Sequence, residues 1–181
     1  MDNDQNPLSC NNSLTISSAP PVNGVVLNFD QAEAVRQLAP IRILIVDDFQ
    51  SWRRLVSSML QDNPEFQIIG EASDGLEAVQ MSEELQPDLI LLDVGLPKLN
   101  GIEAARRICA IAPGSTILFV SENQCHSVAQ EALRTGACTR GYMVKSDAAH
   151  DLLPAMKAVM QDKRFISSRF AAFKLGDSPD P

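Results

Sequence analysis

Three aspartates, a serine and a lysine stand where short aliphatic runs end. Ile43-Leu44-Ile45-Val46 runs into Asp47-Asp48, Leu89-Ile90-Leu91-Leu92 into Asp93, Thr116 to Val120 into Ser121, and Gly141-Tyr142-Met143-Val144 into Lys145. If these ends meet, three carboxylates share one cleft and repel, and without a compensating cation at least one has its pKa raised. Hard oxygen ligands with open positions suit Mg2+, which keeps several waters and uses one or two carboxylates plus a substrate phosphate. The Lys145 ammonium can reach a carboxylate or phosphoryl oxygen, and the Ser121 hydroxyl can hydrogen-bond one. A metal, an ammonium, a hydroxyl and a carboxylate nucleophile are the parts of phosphoryl transfer to an aspartate, a chemistry dominated by positioning and charge neutralisation. Taken singly, each residue has a plainer reading. Asp47-Asp48 suits a helix cap, Asp93 a turn start, Lys145 a surface lysine at a strand end, and Tyr142 a half-buried strand aromatic.

For the five residues to converge, the elements that carry them must be neighbours. Uninterrupted aliphatic runs such as residues 89–92 suit strands covered on both faces. Phe66 to Ala72 reads as a further strand. Between the strands, Trp52, Leu55, Val56, Met59 and Leu60 are spaced for one helix face, and helices are also expected over Glu77 to Leu85, Ile102 to Cys109, Val128 to Leu133 and Leu152 to Met160. Pro154 fits the last of these if Asp151 is its cap and the helix starts late. Strand and helix alternate five times through short connections, which calls for an α/β fold with a five-stranded parallel sheet. Right-handed crossovers leave few topologies, and five strands suit the flavodoxin-like, doubly wound order 2-1-3-4-5. In that order strands 1, 3, 4 and 5 are adjacent, and their carboxyl ends form one cleft at the switch point.

The chain has 181 residues, 45% hydrophobic and 21% charged, with a net charge of −8. That balance suits one soluble domain with extra segments and disfavours nonspecific contact with nucleic acid. No apolar run reaches the roughly 18 to 20 residues that span a bilayer, so no membrane role is expected. The start of the chain is polar and acidic, unlike a secretory signal. Cys10, Cys109, Cys125 and Cys138 show no C-x-x-C spacing, so a reducing cytoplasm with free thiols is expected. Residues 1–40 read as a flexible N-terminal extension, with a short helix over residues 30–38. Residues 165–181 read as a C-terminal tail or truncated linker. His126 and His150 are given no role.

Residues 41 to about 164 resemble a response-regulator receiver domain of the CheY-like fold. The motifs that carry the resemblance are Ile43-Leu44-Ile45-Val46-Asp47-Asp48, Leu91-Leu92-Asp93 with Leu96-Pro97 and Gly101, Ser121, and Gly141-Tyr142 with Lys145. Glu71-Ala72-Ser73-Asp74-Gly75 is most similar to the NarL-type branch. The resemblance implies that Asp93 accepts a phosphoryl group from the phosphohistidine of a sensor histidine kinase. It implies that Asp48 and Asp93 ligate Mg2+ through side chains, Gly95 through its carbonyl, and Asp47 through water. Lys145 would contact the phosphoryl group, Ser121 would swing toward it, and Tyr142 at the aromatic switch position would follow, reshaping the surface of the fourth helix and fifth strand. A homodimer through that surface, or through the first and last helices, is a family-based expectation. The output partner is not named by the sequence. Three departures stand out: Gly136-Ala137-Cys138-Thr139-Arg140-Gly141 is two residues longer than the family's usual turn, Glu122 stands where a small residue is usual, and Ser146 replaces a common proline.

NarL-type regulators continue into a helix-turn-helix, and Arg164 to Arg169 is similar to the start of such a linker, although the sequence ends at Pro181. The expected function is therefore that of a phosphoacceptor signalling protein rather than an enzyme acting on a substrate, with no direct nucleic-acid contact by this chain. The alternatives are a phosphorylation-independent scaffold, or the receiver part of a DNA-binding regulator whose output domain is absent. An aspartate-nucleophile phosphatase is disfavoured because Asp93-Val94-Gly95 lacks a second acid, and a dinucleotide enzyme because no G-x-G-x-x-G follows the first strand.

Overall fold

Each aliphatic run becomes a strand buried on both faces. A computed structural model describes residues 39–170. The expected extension, with its helix over 30–38, lies almost wholly outside the described residues, as do residues 171–181. Strands β1 (Ile41–Val46), β2 (Phe66–Ala72), β3 (Leu89–Leu92), β4 (Thr116–Ser121), β5 (Thr139–Val144) and β6 (Phe165–Ile166) form one sheet in the order β2-β1-β3-β4-β5-β6, with every neighbouring pair parallel. Helices α1 (Gln50–Leu60), α2 (Gly75–Leu85), α3 (Gly101–Ile111), α4 (His126–Leu133) and α5 (Ala148–Met160) supply the crossovers. Among the described residues no helix is long and apolar enough to cross a membrane.

Successive residues of each strand feed opposite cores, as the pleat requires. Ile43, Ile45, Leu89, Leu91, Leu118, Val120 and Met143 pack with Val56 and Leu60 of α1 and with Leu152, Met156 and Val159 of α5. Leu44, Val46, Ile90, Leu92, Phe119, Tyr142 and Val144 face the other way, against Ala78 of α2, Ile102, Ala105 and Ile108 of α3, and Ala129 and Leu133 of α4. Helices thus cover both faces, and all the strand ends that carry chemistry emerge on one rim.

Three expectations are corrected. The sheet has six strands, not five. Phe165–Ile166, read as tail or linker, pairs with Gly141 and Tyr142 of β5, and Phe170 beyond it is buried in the core. Two-residue strands carry too little period to be legible in sequence. Second, α5 does not start late: it begins at Ala148 and takes Pro154 into its interior. One lost helical hydrogen bond is outweighed by burial of Leu152, Ala155, Met156 and Val159 on the same helix. Third, Cys109 and Cys138 are not free thiols but are joined as a disulfide, with Cα atoms 5.7 Å apart across 29 positions of sequence. Spacing rules that look for cysteines close in sequence do not detect a pair made by the fold; Cys125 is free and exposed. The longer turn before Tyr142, noted as a departure in the sequence, leaves that residue in place. Ile117 pairs with Thr139 and Leu118 with Gly141, so Arg140 is the extra residue of a bulge, and Tyr142 keeps register with Phe119.

Candidate functional site

The acidic residues sit where the strands run out and the backbone is held by neighbouring strands. Asp47 N–H donates to the Ala72 carbonyl of β2 at 3.0 Å, and Asp93 N–H donates to the Val46 carbonyl of β1 at 2.9 Å. Strands β1 and β3 are adjacent, so the two aspartates are brought side by side. Asp47 is 1% exposed and Asp93 6%, whereas Asp48 is exposed. One carboxylate oxygen from each of the three lies within 4.8 Å of the others. Lys145, immediately after β5, extends across β4 to this cluster. Its Nζ lies 2.6 Å from Asp47 Oδ2 and 3.1 Å from Asp93 Oδ2. The Asp93 contact is a hydrogen bond; the Asp47 contact is closer, but Oδ2 is off the line of a hydrogen bond, so the pairing there is ionic.

Charge explains the balance of the cluster. Burial pushes the Asp47 carboxyl above its ordinary value, against the lowering effect of Lys145 and of the Phe49 N–H, which donates to Asp47 Oδ1 at 3.0 Å. Burial alone would lower the Lys145 ammonium, but Asp47 and Asp93 outweigh it and raise its pKa. Three carboxylates against one ammonium leave an excess of negative charge on a rim open at Asp48. That is the donor set of a hard divalent cation, which needs oxygen ligands and room for water. Gly95 lies beside the cluster, its Cβ direction 3.7 Å from Asp93 Oδ2.

The loop after Asp93 is fixed by its surroundings. Asp93 Oδ1 accepts from the Val94 N–H at 2.7 Å. Gly101 N–H donates to the Val94 carbonyl at 2.9 Å, and a Cβ on Gly101 would collide with the Asp93 carbonyl oxygen, so only glycine lets α3 start this close to the acceptor. Lys98, in the left-handed region at φ 61°, reaches Asp74 Oδ2 at 2.5 Å, and Asp74 in turn caps α2 by accepting from Leu76 and Glu77 N–H, each at 2.9 Å. The cap carboxyl is held below its ordinary value by that lysine and those amides.

Ser121 ends β4 and is buried. Its oxygen accepts from the Asn123 N–H at 3.1 Å and adjoins the Tyr142 hydroxyl. Tyr142 is fully buried, and its hydroxyl donates to the Asn123 carbonyl at 2.8 Å. Burial pushes the phenol above its ordinary value; the Ser121 hydroxyl opposes this and the Asp93 charge adds to it. Phe170 stacks edge-on against the Tyr142 ring at 5.6 Å. The structure therefore brings Asp47, Asp48, Asp93 and Lys145 into one cluster with Gly95 at its margin, and joins Ser121 and Tyr142 in a second group beside it.

Two aromatic rings at the site were missed in sequence. Phe49, directly after the acidic pair, is 58% exposed, and its ring centroid lies 5.7 Å from Lys145 Nζ; the Trp52 ring, on the apolar face of α1, is only partly buried and lies 5.5 Å from the same atom. The signal available was an aromatic next to the paired acids, off the apolar stripe of α1.

Comparison with known proteins agrees with this geometry. The family model described as the response regulator receiver domain matches residues 43–157. The transcriptional regulatory protein DegU of Brevibacillus brevis is 37% identical over 126 residues, covering 70% of this chain and 52% of that protein. The response regulator GacA of Pseudomonas viridiflava is 32% identical over 131 residues, covering 72% and 60%. The chain thus spans about half to three-fifths of the length of these curated relatives. Among solved structures, a two-component response regulator of the LuxR family from Aurantimonas sp. SI85-9A1 superposes with a TM-score of 0.69 at 30% identity, covering 74% of this chain and 94% of that one. The response regulator domain of Thermotoga maritima CheB gives 0.61 at 32% identity, covering 67% and 97%. The matched segment contains every strand end that carries a polar residue of the cluster, and with it the chain belongs to the response-regulator receiver domain family of two-component systems.

Proposed function

We propose that Asp93 is a phosphoacceptor that takes its phosphoryl group from the phosphohistidine of a sensor histidine kinase, in the cytoplasm, and that its modification switches a protein-interaction surface. The observation that carries this reading is the Lys145 ammonium held 3.1 Å from Asp93 Oδ2 inside a cluster of three carboxylates. An aspartate buried on both sides of its strand would ordinarily be a liability; here it has a cation, an open rim and a fixed loop. In the transfer, the bond from phosphorus to the donor nitrogen breaks, its electron pair leaves with that nitrogen, and an Asp93 oxygen forms the new bond to phosphorus. Mg2+, when bound, neutralises charge on the acceptor and the phosphoryl oxygens. Asp48 and Asp93 would hold it by side chains, the Gly95 carbonyl would complete the set, and Asp47 would act through water. Lys145 exchanges part of its contact with Asp93 for a phosphoryl oxygen. Ser121 supplies a hydroxyl to the same group, and Tyr142 responds through its contact with Ser121.

The test is mass spectrometry of the whole chain after treatment with acetyl phosphate and Mg2+. The expected result is a gain of about 80 Da, one phosphoryl group, in the wild type and none in Asp93→Asn. Absence of the gain from the wild type with both acetyl phosphate and phosphoimidazole, or its persistence in Asp93→Asn, overturns the assignment.

A further inference from the structure

Three side chains border the cluster on its Lys145 side: Phe49, Trp52 and Glu122. Phe49 is fixed by its backbone, its N–H on Asp47 and its carbonyl accepting from Trp52 N–H at 3.0 Å and Arg53 N–H at 3.2 Å. Its ring nevertheless stands 58% in solvent, where a polar residue would be equally well tolerated. Two clefts of about 330 and 250 Å³ open at Lys145; Trp52 and Glu122 line both, and Phe49 lines the smaller. The clefts at Lys145, whose ammonium contacts Asp93, are thus walled by two π faces and a carboxylate.

We propose that Phe49, Trp52 and Glu122 form a leaving-group subsite that favours phosphodonors whose leaving group is an imidazole ring over donors that release a carboxylate. The proposal rests on the reading of Asp93 as phosphoacceptor and names what that site selects. An N-phosphorylated imidazole carries a proton, and positive charge, on its distal ring nitrogen. Aromatic faces attract such a cation and stack on its ring, and a neighbouring carboxylate adds to the attraction. When the phosphorus–nitrogen bond breaks, the electron pair stays on nitrogen, the distal proton stays where it was, and neutral imidazole departs as Asp93 gains the phosphoryl group. An acyl phosphate breaks its phosphorus–oxygen bond instead and releases a carboxylate. That anion meets Glu122 and a cluster already richer in negative than positive charge, and it has no ring to stack. Selection of this kind needs an element that repels the wrong donor as well as one that attracts the right one. Glu122 is the first and the aromatic pair the second.

The experiment compares initial rates of Asp93 modification by phosphoimidazole and by acetyl phosphate, both with Mg2+, in the whole chain. Wild type, Phe49→Ser and Glu122→Gln are measured; both altered side chains are exposed, so folding is not at stake. The ratio of the phosphoimidazole rate to the acetyl phosphate rate is expected to fall roughly tenfold in each variant. In Glu122→Gln the fall comes in part from a faster acetyl phosphate reaction, and in Phe49→Ser from a slower phosphoimidazole reaction. A ratio unchanged in both variants overturns the subsite while leaving the phosphoacceptor assignment standing. Modification of the wild type by neither donor overturns the assignment and the subsite with it.

Discussion

Replacing Lys145 by methionine removes the ammonium while keeping the length and apolar stem of the side chain. The side chains of Lys145, Asp47 and Asp93 are only 6%, 1% and 8% exposed, and the ammonium is the cation that pairs with both buried acids. Breaking a buried ion pair from one side costs about 3 to 5 kcal/mol; with the exposed Asp48 letting water reach the rim, the low end, about 3 kcal/mol, is expected. For a domain of roughly 130 residues that lowers Tm by on the order of 10 °C. The sign of the pH dependence follows from Asp47. Its folded pKa already lies above its ordinary 3.8 through burial, and loss of the ammonium raises it further. A carboxyl raised in the folded state favours folding while protonated, and that advantage is lost as pH rises from the ordinary value through the folded one. The deficit of Lys145→Met is therefore largest near neutral pH and shrinks toward about pH 5, and it shrinks likewise when Mg2+ supplies the missing positive charge. Urea unfolding followed by circular dichroism, with chelator at both pH values and with Mg2+ at neutral pH, gives all three numbers. A variant as stable as wild type at neutral pH in chelator, or a deficit identical under the three conditions, refutes the account of the cluster.

Three further outcomes are expected. Tyr142→Phe loses the hydrogen bond to the Asn123 carbonyl and is expected to cost about 1 kcal/mol in urea unfolding; in the wild type, spectrophotometric titration should find the phenol ionising above its ordinary 10.0 because it is buried. The Cys109–Cys138 bond closes a loop of about 30 residues, and loop-closure entropy sets its contribution at roughly 3 to 4 kcal/mol. Calorimetry of Cys109→Ser/Cys138→Ser against the oxidised chain should show that loss, together with a mass lower by two hydrogens in the oxidised form. Gly101→Ala places a methyl group against the Asp93 carbonyl, so the β3–α3 loop must move and stability should fall by about 2 kcal/mol or more in urea unfolding.

Much of this molecule was legible because the signals were local. Four uninterrupted aliphatics before Asp93 suit a strand covered on both faces, and a polar residue after each such run marks the rim. With the strands in this order, the meeting of Asp47, Asp93 and Lys145 follows from adjacency. What stayed hidden depended on contacts far apart in sequence. Phe165–Ile166 is too short to show a period and becomes a strand only because β5 offers an edge. Cys109 and Cys138 meet because α3 and the turn before β5 pack together. Pro154 argued for a late helix start, yet the apolar spacing of Leu152, Met156 and Val159 prevailed. Helical spacing puts Trp52 on the apolar stripe of α1, but it does not say that the stripe ends at a polar rim.

The short strand after α5 has a practical consequence for how this domain is delimited. Ser167 N–H donates to the Tyr142 carbonyl, Ser167 Oγ accepts from the Val144 N–H next to Lys145, and Arg169 grips Asp147 just beyond it. A fragment cut after residue 164 would strip these groups from β5 and bare the Tyr142 ring. Its sheet would then end in an unguarded row of amides and carbonyls, open to pairing with a second molecule. Self-association of such a fragment through this edge would follow from the trimming, and a fragment that keeps β5 covered has to retain Phe170.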